Sequence, residues 1–394
     1  MKIKSISFKN YKAFADEIQT IEIKPITILI GKNSSGKSSV AKLFTLLENS
    51  LSRRIEEPLL LNNNGVVLGA KFRDLVFGGS ATPVSFCIES KNGNKLEVEV
   101  LAPNDKYELI FNKWKCGNIE IRYDKDMQSY SFNGTKCECV FKGFILEKLE
   151  TKEGVIEVNI NYSDFKMDVD YIGPFRILPE RTFNLTGQIS YRDTGIRGEN
   201  AYAMLGVSKK LDSELYKKVG EWYSTFFDGW GLIVDDNDDS ASIYLEKNKT
   251  KVNIVDVGQG MNQALPLVVR SNIGFDESII IIEQPELHLH PAAHGDLAQL
   301  FARSAKEYNQ NFIIETHSEN IILRLRKLII ENDFGFTKDD LVIYWVEDAE
   351  LQGKELREIT VDEDGVLSDW PEGVFNENLK EILEMQKILD EKNK

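Results

Sequence analysis

Residues 26–51 read ITILIGKNSSGKSSVAKLFTLLENSL: an aliphatic run, a polar loop with two glycines, then an apolar pattern of a different period. Ile26 to Ile30 make the continuous apolar run of a strand buried on both faces. Val40, Leu43, Phe44, Leu46, Leu47 and Leu51 recur at helical spacing. Between strand and helix, GKNSSGKS at Gly31 to Ser38 fits G-x-x-x-x-G-K-[ST] in the context that this motif requires. Its four constrained positions would recur by chance in roughly one chain in a hundred of this length, so a plain glycine-rich turn is the weaker reading. Glycines let successive backbone N–H groups curl around phosphates, Lys37 adds a point charge at the β and γ oxygens, and Ser38 offers a hydroxyl to Mg²⁺. The nucleotide contacts are therefore expected from Gly31, Lys32, Asn33, Ser34, Ser35, Gly36, Lys37, Ser38 and Ser39.

A second stretch complements the first. Ile279 to Pro291 reads IIIIEQPELHLHP, a buried strand ending in acid, and ligands in open α/β sheets sit at the carboxyl ends of strands. Glu283 is read as the Mg²⁺-associated carboxylate. The next residue is Gln284, where a water-activating glutamate is usual. Three readings stand: Gln284 orients water without accepting a proton, Glu286 beyond Pro285 acts as base, or turnover is nearly absent. All three imply slow hydrolysis.

Composition bounds the rest. The 394 residues are 42% hydrophobic and 28% charged, which is globular and long enough for a sizeable core. No apolar run reaches the roughly 18 residues of a membrane helix, and MKIKSISFKNYK lacks a signal-peptide core, so a cytoplasmic protein is expected. Cys87, Cys116, Cys137 and Cys139 are too few and too irregularly spaced for a disulfide framework. The net charge of −15 disfavours indiscriminate nucleic-acid coating. Basic residues nevertheless dominate positions 1–54, and acids dominate 347–394.

Periodicity divides the chain. Residues 1–83 and 251–346 alternate strand and helix, as two halves of one ATPase domain would. From 84 to 170, short alternating segments such as KLEVEVLA and NIEIRY predict an antiparallel β-rich insertion. Residues 171–250 form a helical and linking segment, with helical spacing from about Glu199 to Phe227, and 347–394 form an acidic extension. There, Asp362 to Gly365 reads as a hairpin turn, and a helix from roughly Asn376 to Lys392 is expected to lay its apolar face on the core. No heptad pattern lasts long enough for a coiled coil.

With NFIIETHSE at 311–319, the two motifs make the chain resemble ABC-type ATPases of the SMC, RecF and OLD group, and within it the small stand-alone members found in bacterial anti-phage systems. FKNYKAFAD, LGAKFRDLVFGG, YIGPFRILPERTF, DVGQGMNQALP and VDEDGVLSDWPEGVF extend the resemblance over most of the chain; the 85–170 stretch carries little of it. The resemblance implies an α/β P-loop NTPase fold of the ABC type, with a mixed central sheet and, here, no long coiled coil. It places a γ-phosphate-sensing switch histidine at His317 and a subunit-contact loop at Leu287 to Pro291. Asp256 to Gln263 aligns with the signature segment that caps the partner subunit's ATP, although Gly258-Gln259-Gly260 replaces the usual serine and paired glycines, with Asn262 as the nearby polar side chain. A homodimer or higher homo-oligomer closed around ATP and Mg²⁺ follows, beside a separate effector protein.

Two other functions compete with this one. A RecF-like repair ATPase would bind DNA, through a basic groove at Lys2, Lys4, Lys9 and Lys12. A metal-dependent nuclease would use His288, His290 and His294 with Glu286. Arg176 and Arg181 have two equal readings, neutralising phosphate or tying the lobes together by ion pairs.

Overall fold

In the computed structural model, which describes residues 2–103, 108–186, 193–237, 239–274, 277–370 and 377–392, the chain opens with β1 (Ile3–Lys9), β2 (Gln19–Glu22), β3 (Ile26–Gly31) and α1 (Lys37–Ser50). A short ladder of β4 (Asn62–Asn63) and β5 (Val66–Val67) comes next. Eight strands follow: β6 (Val84–Ser90), β7 (Lys95–Leu101), β8 (Ile110–Cys116), β9 (Ile119–Asp124), β10 (Ser129–Phe132), β11 (Thr135–Lys142), β12 (Ile145–Thr151) and β13 (Gly154–Ile156). Then come β14 (Val169–Ile172), β15 (Phe183–Asn184), α2 (Ala201–Lys210), α3 (Glu214–Phe226), β16 (Gly231–Asp236), β17 (Ser240–Lys247) and β18 (Thr250–Asn253). The remainder is α4 (Gln259–Ser271), β19 (Ile279–Glu283), α5 (Pro291–Tyr308), β20 (Asn311–Glu315), α6 (Glu319–Glu331), β21 (Leu341–Asp348), β22 (Lys354–Ile359) and α7 (Glu377–Lys392).

Four isoleucines in succession make sense only on a strand covered on both faces, and β19 is such a strand. It lies in a six-stranded sheet ordered β14-β19-β20-β3-β21-β22, parallel except for the antiparallel edge β22. Side chains alternate across it. Ile280 and Ile282 join Ile26, Ile28 and Ile30 in one core, closed by Leu205, Leu265, Leu297 and Ile321 from helices α2, α4, α5 and α6. Ile279 and Ile281 join Leu29 and Ile313 in the other, with Val40, Leu43 and Phe44 of α1. Each such buried side chain stabilises the fold by roughly 1.5–3 kcal/mol, so the sheet is the shared wall of both cores.

The second core is closed by a ten-stranded antiparallel sheet that runs from β13 back through β6 to β1 and β2. The β-rich stretch is thus continuous with the first strands of the chain through the β1–β6 ladder. It also docks on α1. Gly143 has φ +54°, and a Cβ there would fall 2.1 Å from the Ser50 carbonyl oxygen; this close approach lets Phe144 N–H donate to that carbonyl across 2.6 Å. An otherwise unpaired carbonyl at the helix end is thereby satisfied.

At the C-terminal end, the turn at Asp362 forms as its sequence predicts, with Gly365 N–H donating to the Asp362 carbonyl and Gly365 at φ +72°. The expectation for the tail helix needs correcting. α7 forms, but Ile382, Leu383, Met385, Ile388 and Leu389 are about half exposed, at 48–57%. Leu367 and Trp370, just ahead of it, pack on the core instead. Among the described residues the longest helix is α5, at 18 residues, so no long coiled coil is present, and no helix is long and apolar enough to cross a membrane.

Candidate nucleotide-binding site

The parallel register brings three strand ends together. β3 ends in Gly31, β19 in Glu283 and β20 in Glu315, with β20 between the other two. At Gly31 the backbone has φ +151°, and a Cβ would meet the Val346 carbonyl oxygen at 2.6 Å and Ser35 Oγ at 2.9 Å, so only glycine fits. Gly36, at φ +107°, turns the chain into α1. Lys37 is buried at the start of that helix, and its Nζ donates to the carbonyls of Gly31 (3.1 Å) and Lys32 (2.8 Å). Burial pulls its ammonium below the usual lysine range, opposed by the charges of Glu315 and Glu283.

Two carboxylates face this ammonium. Glu283 is 5% exposed, and its Oε1 accepts from the Tyr171 hydroxyl across 2.6 Å. Burial pushes its carboxyl up to about 7, against the pull of that hydrogen bond. Glu315 pairs with Glu283 in the β19–β20 register and lies 3.9 Å from Lys37 Nζ. Burial raises it too, while the nearby Ser38 hydroxyl and Lys37 favour its charged form. The hydroxyl of Ser38 and the carboxylate of Glu283 are oxygen donors of the kind a hard divalent cation takes, so the expected Mg²⁺ donors fit the position. ATP phosphates would meet the loop N–H groups and Lys37 here.

Beyond β19 the chain turns sharply. Gln284 adopts a left-handed φ of +47°, held by its N–H to the Glu315 carbonyl (2.7 Å) and by Arg176 Nη2 donating to its own carbonyl (3.2 Å). Arg176 is buried, and its Nε and Nη1 have no hydrogen-bond partner. Glu286 Oε1 accepts the His317 N–H across 2.7 Å. Burial and the Lys37 charge pull the His317 imidazole below its ordinary value, opposed by the Glu286 charge. The motifs at 283–286 and 315–318 are therefore one bonded unit.

The signature segment lies at the start of α4. Gly258 is its N-cap; Gly258 and Gln259 are exposed, with nothing within 4 Å of a Cβ placed on Gly258. Asn262 points the other way: it is 3% exposed, and Tyr202 donates to its carbonyl. Gly260 packs on the 287–291 loop, where a Cβ would meet the His288 carbonyl oxygen at 2.9 Å. Arg181 ties this segment down through a bidentate ion pair with Asp256. Of the two readings for the arginines, Arg181 follows the ion-pair one, whereas Arg176 serves the Gln284 turn.

The three histidines do not converge. His290 Nδ1 caps α5 by accepting from Ala292 N–H, His294 bonds Ser318 Oγ and the Leu289 carbonyl, and His288 is exposed. Among the described residues no group of three or more His, Cys, Asp or Glu is placed to hold a metal, so the described histidines do not assemble the cluster that the nuclease reading used. In the basic stretch, Lys4 pairs with Glu89 and Lys12 donates to the Leu68 carbonyl, so these two charges are engaged within the fold. The four cysteines are free thiols.

Sequence reasoning passed over Glu315 and Tyr171. Its available signal was the likeness of NFIIE to IIIIE, two aliphatic strands each ending in glutamate.

Comparison with known proteins bears on the family and the fold. A family model described as an AAA ATPase domain matches residues 1–181 and 193–322, and one for a domain of unknown function, DUF3696, matches 337–385. A curated relative, the retron Vc95 probable ATPase of Vibrio cholerae serotype O1 biovar El Tor, is 20% identical, over 85% of this chain and 75% of its own. Among solved structures, an SMC head bound to the C-winged helix domain of ScpA aligns with TM-score 0.51 and 14% identity, covering 92% of this chain and 99% of the other.

Proposed function

The chain belongs to the AAA ATPase domain family, as an ATPase of the SMC and RecF-like ABC type, and from that premise we propose that it works as a nucleotide-gated dimerisation switch. ATP with Mg²⁺ joins two copies, and hydrolysis parts them. The observation that carries this reading is the contrast between the buried cluster of Lys37, Glu283 and Glu315 and the open start of α4 at Gly258 and Gln259. Exposed N–H groups at a helix start bind anions, so in the dimer the α4 start of one copy caps the γ-phosphate held by the other. A ligand that binds only the joined state shifts the equilibrium toward it.

Turnover is slow in this reading, well under the roughly 1–100 s⁻¹ of kinases, because Gln284 positions water without taking its proton. The similarity to a retron ATPase supports a place as sensor or regulator in a bacterial anti-phage system, acting on a separate effector protein.

The test is the mass of the purified protein by light scattering with ATP and Mg²⁺, with ADP, and with neither. The mass is expected to double with ATP only, and Lys37→Ala is expected to stay monomeric throughout. A mass that ignores nucleotide overturns the switch. Salt-sensitive DNA binding by the ATP form would point to the repair role instead.

A further inference from the structure

Glu315 has a place that neither the phosphate loop nor the acidic strand end accounts for. It closes β20, the strand between those carrying Gly31 and Glu283, and stands directly beside Glu283 in register. It is 4% exposed, and its Oε2 is buried without a hydrogen-bond partner. A buried carboxylate oxygen left in that state is costly.

Pairing with Lys37 does not remove the cost. The separation is 3.9 Å, and the Lys37 ammonium already donates to two backbone carbonyls. The Ser38 hydroxyl, Lys37 and Lys42 all favour the Glu315 charge. Two adjacent buried carboxylates and the Ser38 hydroxyl, with Lys37 and Lys42 as the cations acting on them, form an all-oxygen donor set of the kind that a divalent cation takes.

We propose that Glu315 is the second carboxylate of the metal site, so that the divalent cation accompanying ATP is held by Ser38, Glu283 and Glu315. The proposal rests on the ATP-binding reading above. In this arrangement Glu315 also reports metal occupancy to the switch loop, because Thr316 and His317 follow it directly and its carbonyl accepts from Gln284 N–H.

The test measures affinity for the ATP analogue AMP-PNP in EDTA and again with Mn²⁺, and takes the gain due to metal. In Glu315→Gln the gain is expected to fall roughly tenfold or more, as in Glu283→Gln. Glu315→Asp, which keeps the charge, is expected to retain part of the gain and guards against misfolding of the amide variant. If both Glu315 variants keep the full gain while Glu283→Gln loses it, Glu315 is only a counter-charge to Lys37 and the proposal fails alone. Wild-type protein that binds no AMP-PNP would overturn the ATP reading itself.

Discussion

The Tyr171 hydroxyl donates to Oε1 of Glu283 across 2.6 Å, so the end of β14 holds the carboxylate at the end of the neighbouring β19. Partners that orient a metal-associated carboxylate commonly change metal affinity or activity about 10–100-fold when removed. Tyr171→Phe deletes only the donor. ATP hydrolysis is expected to fall about tenfold, with AMP-PNP affinity in EDTA unchanged; an unaltered kcat would show that Glu283 is oriented without Tyr171.

The strand, loop and helix at 26–51 were legible because the chemistry sets their spacing, and IIIIE was legible because only a doubly covered strand tolerates such a run. These two place β3 and β19, but not the order of the other four strands of their sheet. The extent of the antiparallel sheet was not legible: Ile6 pairs with Ile88, far along the chain, and alternation in each strand does not reveal its partner. Nor does an apolar stripe disclose what it faces, so α7 looked like a core helix although its described apolar side chains lie in solvent. Glu315 was hidden for a different reason. The likeness of NFIIE to IIIIE marks a second strand ending in glutamate, but only the parallel register sets Glu315 beside Glu283.

Asp170 and Arg270 form an ion pair with both side chains almost fully buried. Arg270 further donates to the Ile273 carbonyl and to Ser278 Oγ, so the pair anchors the start of β14 to the end of α4. Removing one partner of such a pair leaves a buried charge, at a cost of about 3–5 kcal/mol. Asp170→Asn is expected to lose stability of that order in urea unfolding. A loss below about 1 kcal/mol would mean that water reaches the site.

Glu48 lies on α1 beside a 440 Å³ cavity that Asp168 and Asp170 also line. Burial pushes its carboxyl up to about 7, only partly opposed by the Val169 N–H bond. A folded-state value above the unfolded one means that the folded protein binds the extra proton. The associated stability is therefore present below about pH 4.5 and is lost as pH rises to about 7. Glu48→Gln keeps the shape without the charge. Relative to wild type it is expected to gain stability between pH 5 and 8, by at most about 3 kcal/mol, and to match wild type near pH 4. Parallel urea midpoints across that range would contradict the shift.

Gln284 and Glu286 are separated by one proline but are held for different tasks. One oxygen of the Glu286 carboxylate accepts the His317 N–H and so ties the two loops together, while its Oε2 is buried without a hydrogen-bond partner. Gln284 sits in a left-handed conformation that costs a non-glycine residue roughly 1–2 kcal/mol and persists because Glu315 and Arg176 clamp its backbone from both sides. Strain kept up by surrounding bonds at a strand end marks a side chain whose direction matters. Gln284→Ala is accordingly expected to lower kcat by about 100-fold, with ATP affinity and ATP-dependent mass unchanged. Gln284→Glu, which supplies a base at the same point, is expected to raise kcat above wild type. Glu286→Ala is expected to weaken the nucleotide-dependent change in mass along with turnover, since it uncouples His317 from the Gln284 turn. Single-turnover hydrolysis and light scattering on the three variants separate these outcomes; full turnover in Gln284→Ala with none in Glu286→Ala would assign the water to Glu286.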